Sequence, residues 1–137
     1  PWEQHNLRIN QTDITPAIRY ELAYPELLAK SAQKTQVLLS ISNLGWFGKS
    51  IGPHQFMQMG QMRALETGRY LIYSTNNGSS ALINHKGQID LESEPFTRQT
   101  LSGSIYAATG QTPFMRFGHW PLVILSAFGL AWLIYRK

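Results

Sequence analysis

Apolar and polar positions along this 137-residue chain predict mixed α and β structure. In "ITPAIRYEL", residues 14 to 22, the apolar positions Ala17, Ile18, Tyr20 and Leu22 predict a strand, which Arg19 and Glu21 interrupt with two charges. "PELLAKSAQ" begins at Pro25 and predicts a short helix, with the proline at a tolerated first-turn position. The unbroken apolar run in "TQVLLSIS", residues 35 to 42, predicts a strand buried on both faces. A glycine-punctuated loop, "NLGWFGKSIG", leads to a helix from Pro53 to about Thr67. That helix places Phe56, Met59, Gly60 and Arg63 near one face, and Gly68 ends it. "YLIYST" and "SSALIN" predict two strands separated by Asn76, Asn77 and Gly78. "NHKG", residues 84 to 87, predicts a hairpin turn into "QIDLE", and "TLSGSIY" a last weak strand. Strand–helix–strand–helix followed by further strands is the order of a layered α/β domain.

The C-terminus has a different pattern. "WPLVILSAFGLAWLIY", Trp120 to Tyr135, holds no charge and, beyond Ser126, almost no polar group. A helix of that length spans about 24 Å, against a hydrocarbon core of about 30 Å. Phe117 and Gly118 lengthen it by a turn. Trp120, Trp132 and Tyr135 flank it as interfacial aromatics do, and Arg136 and Lys137 close it with positive charge. A buried C-terminal helix is the alternative. The membrane is preferred because the run has no polar face to turn to water. The expected organisation is therefore an α/β domain over residues 1–118 and a transmembrane helix with a basic tail over 119–137. Placing the basic tail inside leaves the rest of the chain outside the cytoplasm.

Composition agrees with a part that avoids water. Charged residues make up 15% of the chain, where about 25% is usual for soluble domains. The net charge of +4 comes from scattered Lys and Arg, which form no stripe suited to nucleic acid. With no cysteine, disulfides, thiolate metal sites and a cysteine nucleophile are all excluded. The opening Pro1-Trp2-Glu3-Gln4 has no signal-peptide design, and its mid-pattern start reads as a segment of something longer.

The other candidate chemistry is thin. His5, His54, His85 and His119 are too dispersed for a metal site, so neither metal nor cofactor is expected. "GSSALI" lacks the G-x-S-x-G setting of a nucleophile elbow. Gly45, Gly48 and Gly52 do not form a phosphate-binding fingerprint. Met57, Met59 and Met62 read as core fillers.

Several motifs taken together resemble the apolipoprotein N-acyltransferase family, whose catalytic domain belongs to the nitrilase superfamily. They are "AIRYELAYPELL", the Trp-Phe-Gly loop, the helix with Arg-Ala-Leu-Glu, the Thr-Asn-Asn-Gly turn and the Thr-Gly-Gln-Thr-Pro exit, spread over about residues 14 to 121. The resemblance implies the C-terminal half of a nitrilase-type α-β-β-α sandwich at the bacterial inner membrane, with its soluble part on the periplasmic side. It also implies acyl transfer, from a phospholipid donor to the amine of a lipidated apolipoprotein cysteine. The family uses a Glu–Lys–Cys triad, in which a thiolate takes the acyl group as a thioester.

Where the family's nucleophile sits in Cys-Tyr-Glu, this chain reads Arg19-Tyr20-Glu21. A guanidinium stays protonated and only donates hydrogen bonds, so it cannot replace a thiolate. The family's Glu and Lys lie on earlier segments. By resemblance, Tyr20 and Glu21 are supporting residues, and Trp46 and Phe47 form the loop over the active site. The family often has Asp-Ala before Trp-Phe-Gly, and Leu44-Gly45 here puts polar anchoring of that loop in question. Whether the chain is an enzyme stays open: it is expected to be inactive alone, and the alternative is a non-catalytic, membrane-tethered lipid-binding or assembly module. For Arg19 two readings stand, an anion site for a phospholipid phosphate or a lost nucleophile whose side chain reaches water or pairs with Glu21.

Overall fold

The computed structural model describes residues 5–136, so Pro1 to Gln4 and the Lys137 of the basic tail lie outside the described residues. One six-stranded sheet runs in sequence order: β1 (Leu7–Ile9), β2 (Thr12–Ile18), β3 (Val37–Ser42), β4 (Tyr70–Thr75), β5 (Ala81–Ile83) and β6 (Ile89–Glu92). The central strands β2, β3 and β4 are parallel, and the outer pairings are antiparallel. Parallel neighbours require crossovers. These are supplied by α1 (Pro25–Ala32) between β2 and β3, and by α2 (Gly52–Thr67) between β3 and β4.

Side-chain alternation divides the sheet into two faces. One carries Ala17, Leu38, Leu71, Tyr73 and Ile83, all fully or almost fully buried against Leu28, Ala29 and Ala32 of α1 and Phe56, Met57 and Ala64 of α2. Gly60 lets α2 approach closely: a Cβ there would stand 3.0 Å from Leu71 Cδ2. Gly68 ends the helix in the left-handed conformation, φ 62°, as the sequence predicts. Of the three methionines read as core, Met57 is buried and Met59 packs at the margin, but Met62 is exposed on the outer side of α2.

The second face opens progressively toward the carboxyl ends of the strands. The row Ile14, Val37, Tyr70 is buried, whereas Ile18 and Ile41, paired in register, are each 53% exposed. Residues 93–112 form no strand, so the weak strand expected at "TLSGSIY" is absent. This segment is instead a strap over the closed end of the face. Tyr106 packs edge-on to Tyr70 with ring centroids 5.9 Å apart, and a Cβ on Gly103 would collide with Leu82 and Leu91. Arg69, 2% exposed, fastens the strap: Nε donates to the Thr35 carbonyl at 2.8 Å and Nη2 to the Gly110 carbonyl at 2.7 Å.

One further expectation is corrected, and one strand was not foreseen. The strand predicted through residue 22 stops at Ile18, and residues Arg19–Ala23 form a 3-10 helix. A strand also precedes it, because Asn10 and Gln11 take positive φ (46° and 70°) and turn β1 back onto β2.

The C-terminal run does form a helix. α3 (Pro113–Phe117) starts at Thr112, which caps it by accepting from Met115 N at 3.2 Å, and α4 (Trp120–Tyr135) follows. However, no described helix is long and apolar enough to cross a membrane. The transmembrane expectation is therefore not supported: the 16 residues of α4 extend about 24 Å, several ångströms short of a hydrocarbon core. Its apolar side chains are exposed on every side, so the alternative of a helix buried in the core of this domain is not met either.

Candidate functional site

The site lies at the carboxyl ends of the parallel strands, where open α/β sheets place their ligands. β2 ends at Ile18 and the chain turns sharply. Arg19 has φ 58°, a left-handed conformation that costs a non-glycine residue about 1–3 kcal/mol. The surroundings offset that cost. Glu21 reaches back to accept from Ile18 N at 2.5 Å, Leu22 is fully buried, and Tyr20 packs edge-on to Phe56 at 5.7 Å. The reversal breaks the strand's alternation, so Arg19 and Glu21 no longer share a strand face. Among the described residues no ion pair engages the Arg19 guanidinium.

Beside it, the loop after β3 is fastened by asparagines. Leu44 N donates to Asn76 Oδ1 at 3.0 Å, Asn76 Nδ2 donates to Asn43 Oδ1 at 2.8 Å, and Gly45 N donates to the same oxygen at 3.0 Å. Leu44 itself is a buried plug. The loop thus has the polar anchoring that Leu44-Gly45 put in question, supplied by the Thr-Asn-Asn-Gly turn after β4. Phe47 stacks obliquely on Phe56 at 5.6 Å, and the fit requires Gly52, where a Cβ would stand 2.4 Å from the Phe47 ring. Trp46 is 89% exposed, leaving its indole open to a ligand or an apolar surface.

Two hollows meet at this corner. The smaller, about 280 Å³, is bordered by Arg19, Tyr20, Ser42, Asn43, Trp46 and Phe47 among others. The larger, about 750 Å³, is bordered by Ile18, Arg19, Tyr20, Glu21, Tyr24, Leu27 and Ser31. Of the five residues singled out from the sequence, Arg19, Tyr20, Trp46 and Phe47 therefore converge on one hollow, and Glu21 borders the adjoining one. Sequence reasoning missed Ser42, Asn43, Phe56 and Asn76. The two asparagines lie in or beside the quoted motifs, whereas Ser42 looks like any strand residue. Its Oγ is buried without a hydrogen-bond partner, as are Ser40 Oγ and the Tyr73 hydroxyl, whose pKa burial pushes up to about 12.

Chemically, the smaller hollow offers hydrogen-bond donors and aromatic surface. Its border holds no carboxylate and no histidine, so no base there activates Ser42. The histidines remain apart: His54 is exposed at the start of α2, and His85 sits in the β5–β6 turn. No group of acidic or histidine residues suited to a metal occurs among the described residues.

Residues 3–114 match the family described as carbon-nitrogen hydrolase. The chain belongs to that family. This carbon-nitrogen hydrolase chain is 44% identical over 137 residues to an apolipoprotein N-acyltransferase from Azotobacter vinelandii, covering 100% of the chain and 27% of the relative. A Pseudomonas putida protein of the same name is 44% identical over 134 residues, covering 98% and 26%. The chain thus spans about a quarter of the length of these curated relatives. Among solved structures, a CN-hydrolase superfamily protein from Xanthomonas campestris aligns with a TM-score of 0.59 at 18% identity, covering 69% of this chain and 41% of the other. A nitrilase-superfamily amidase from Nesterenkonia gives 0.56 at 22% identity, covering 69% and 39%. At those identities the likeness speaks for the fold: the α/β sheet and its helices are of the nitrilase type.

Proposed function

We propose that this chain serves acyl transfer from a phospholipid to the N-terminal amine of a lipidated apolipoprotein, shaping the lipid-facing site without carrying the acyl group. Similarity to proteins named apolipoprotein N-acyltransferase along its whole length supports the reaction class. The observation that carries the second half is Arg19. It stands at the sharp turn where β2 meets both hollows, at the position where the resemblance expects the nucleophilic cysteine.

Covalent acyl transfer needs a nucleophile that takes the acyl group and then releases it. A guanidinium has no lone pair to offer at any working pH, and its five donors can only hold an oxyanion. Ser42 has no base beside it. Tyr20, Trp46 and Phe47 supply aromatic surface for acyl chains, and Glu21 supports the turn through the Ile18 amide. In this reading the chain works at the bacterial inner membrane with its sheet on the periplasmic side. α4, apolar all round, enters the bilayer as deeply as its length allows.

The test is acylation in phospholipid vesicles with a diacylglyceryl peptide as acceptor. The chain alone should form neither acyl-enzyme nor N-acyl product. Arg19→Cys, co-expressed with the remaining part of the Azotobacter vinelandii relative, should accumulate acyl-enzyme detectable by mass. Product formation by the unaltered chain alone would overturn the proposal.

A further inference from the structure

We infer that Asn77 is a self-modification site: its carboxamide closes on the Gly78 amide and leaves aspartate or isoaspartate in the turn that brackets the Trp46 loop. The inference concerns the turn after β4 alone and requires no acyl transfer.

Asparagine is a thermolabile residue, and the route here is intramolecular. The Gly78 nitrogen gives its proton to hydroxide and attacks Asn77 Cγ. The N–Cγ bond forms, the Cγ–Nδ2 bond breaks, and ammonia leaves behind a cyclic imide. Water then opens either carbonyl of the ring, so the net exchange is one water taken up for one ammonia released. Opening at the main-chain carbonyl routes the backbone through Cβ and lengthens the turn by one atom. Either product adds a carboxylate.

Sequence and structure together select this asparagine. Of Asn6, Asn10, Asn43, Asn76, Asn77 and Asn84, only Asn77 precedes a glycine, whose missing Cβ leaves the amide open to approach and whose φ is free to change. Three of the others are pinned. Asn76 Oδ1 accepts from Leu44 N, and its Nδ2 donates to Asn43 Oδ1, which also accepts from Gly45 N. Asn84 Oδ1 accepts from the Lys86 and Gln88 amides, and its Nδ2 donates to Asp90. Among the described residues, by contrast, the Asn77 carboxamide makes no hydrogen bond and the Gly78 amide donates none. Asn77 is exposed, and Gly78 borders a surface hollow of about 240 Å³, so solvent reaches both residues.

The Asn77 carbonyl does have a partner: it accepts from Phe96 N at 3.3 Å. Loss of the Gly78 proton places negative charge on that carbonyl oxygen, and a donor already aimed at it stabilises the charge. Asn76, the preceding residue, carries both bonds of the loop bracket, so an added backbone atom at position 77 pulls on its contacts with Leu44 and Asn43.

The test holds the full chain at neutral and at mildly alkaline pH and maps it by peptide mass spectrometry, with electron-based fragmentation to tell isoaspartate from aspartate. Conversion should concentrate at position 77 and quicken in proportion to hydroxide. Asn43, Asn76 and Asn84 should convert at least about tenfold more slowly, since their side-chain hydrogen bonds must break first. Gly78→Ala should slow position 77 by about tenfold or more. That variant is sterically admissible: φ at Gly78 lies outside the left-handed region, and a Cβ would stand 3.3 Å from Thr75 Oγ1 and 3.4 Å from Leu44 Cδ1. Circular dichroism checks that it folds. The isoaspartate form, separated by ion exchange, should exchange its Leu44 amide about threefold faster or more than the unconverted chain. The same incubation should leave Leu44 exchange unchanged in Asn77→Ala. Conversion at Asn43, Asn76 or Asn84 as fast as at Asn77 would overturn the inference, as would an equal rate in folded Gly78→Ala or unchanged Leu44 exchange in the isoaspartate form.

Discussion

Asn76→Ala removes the bracket that holds the Trp46 loop. Two hydrogen bonds go, Leu44 N to Asn76 Oδ1 and Asn76 Nδ2 to Asn43 Oδ1, while Gly45 N keeps its bond to Asn43 and Leu44 remains a buried plug. Each lost bond is worth about 0.5–1.5 kcal/mol net, so the local opening free energy of residues 43–48 should fall by about 1–3 kcal/mol. At about 1.4 kcal/mol per factor of ten, the Leu44 amide should exchange roughly five- to hundredfold faster. Global stability should change less, because loops open below the free energy of the whole domain. Hydrogen exchange followed by mass spectrometry or NMR reads this directly, with Asn77→Ala as the control that leaves both bonds in place. If Leu44 exchanges at the same rate in Asn76→Ala and in the unaltered chain, the loop is held by Leu44 burial and Phe47–Phe56 packing, and the asparagine bracket is refuted.

Two other perturbations test different joints. Arg69→Met removes both ties to the strap, and should cost about 1–3 kcal/mol in a urea titration and expose residues 97–112 to limited proteolysis; unchanged stability and protection would refute the tie. Glu66 is the acid partner of Arg63, with Nη2 to Oε1 at 3.2 Å and Nε to Oε2 at 3.1 Å. Burial raises its pKa above the usual 4.5 despite the opposing charges of Arg63 and His119. Because the folded pKa is raised, the folded state binds more protons than the unfolded chain just above pH 4.5. The Glu66 contribution is then fully present below that pH and is lost as pH rises through the folded pKa. The stability of the unaltered chain minus that of Glu66→Gln should therefore be larger at pH 4.5 than at neutrality, and a difference that grows with pH would contradict the shift.

Periodicity alone placed β3, α1, α2, β4 and the β5–β6 hairpin within a residue or two, because each buries a face whose period matches its element. The cap signals were equally legible: Pro25 and Gly68 lie at the helix ends they mark. Order along the sheet was not, since parallel pairing joins β2 to β3 and β3 to β4 across more than a dozen residues. "ITPAIRYEL" held as a strand through Ile18 and failed beyond it, because a local cap and a tertiary contact decide the turn: Glu21 caps Ile18, and Phe56 receives Tyr20.

The candidate site divides in the same way. Motif resemblance named Arg19, Tyr20, Glu21, Trp46 and Phe47, residues that announce themselves by type. Composition along the last stretch established that α4 would be apolar, but its length set how far it could reach. Only the folded chain brought Ser42 and Asn76 to the same corner. A hydroxyl's meaning depends on whether it is buried and partnered, and an asparagine's on which amides stand within 3 Å or so. Local sequence determined the elements and their ends; contacts between residues distant in the chain decided where Arg19 sits and what surrounds it.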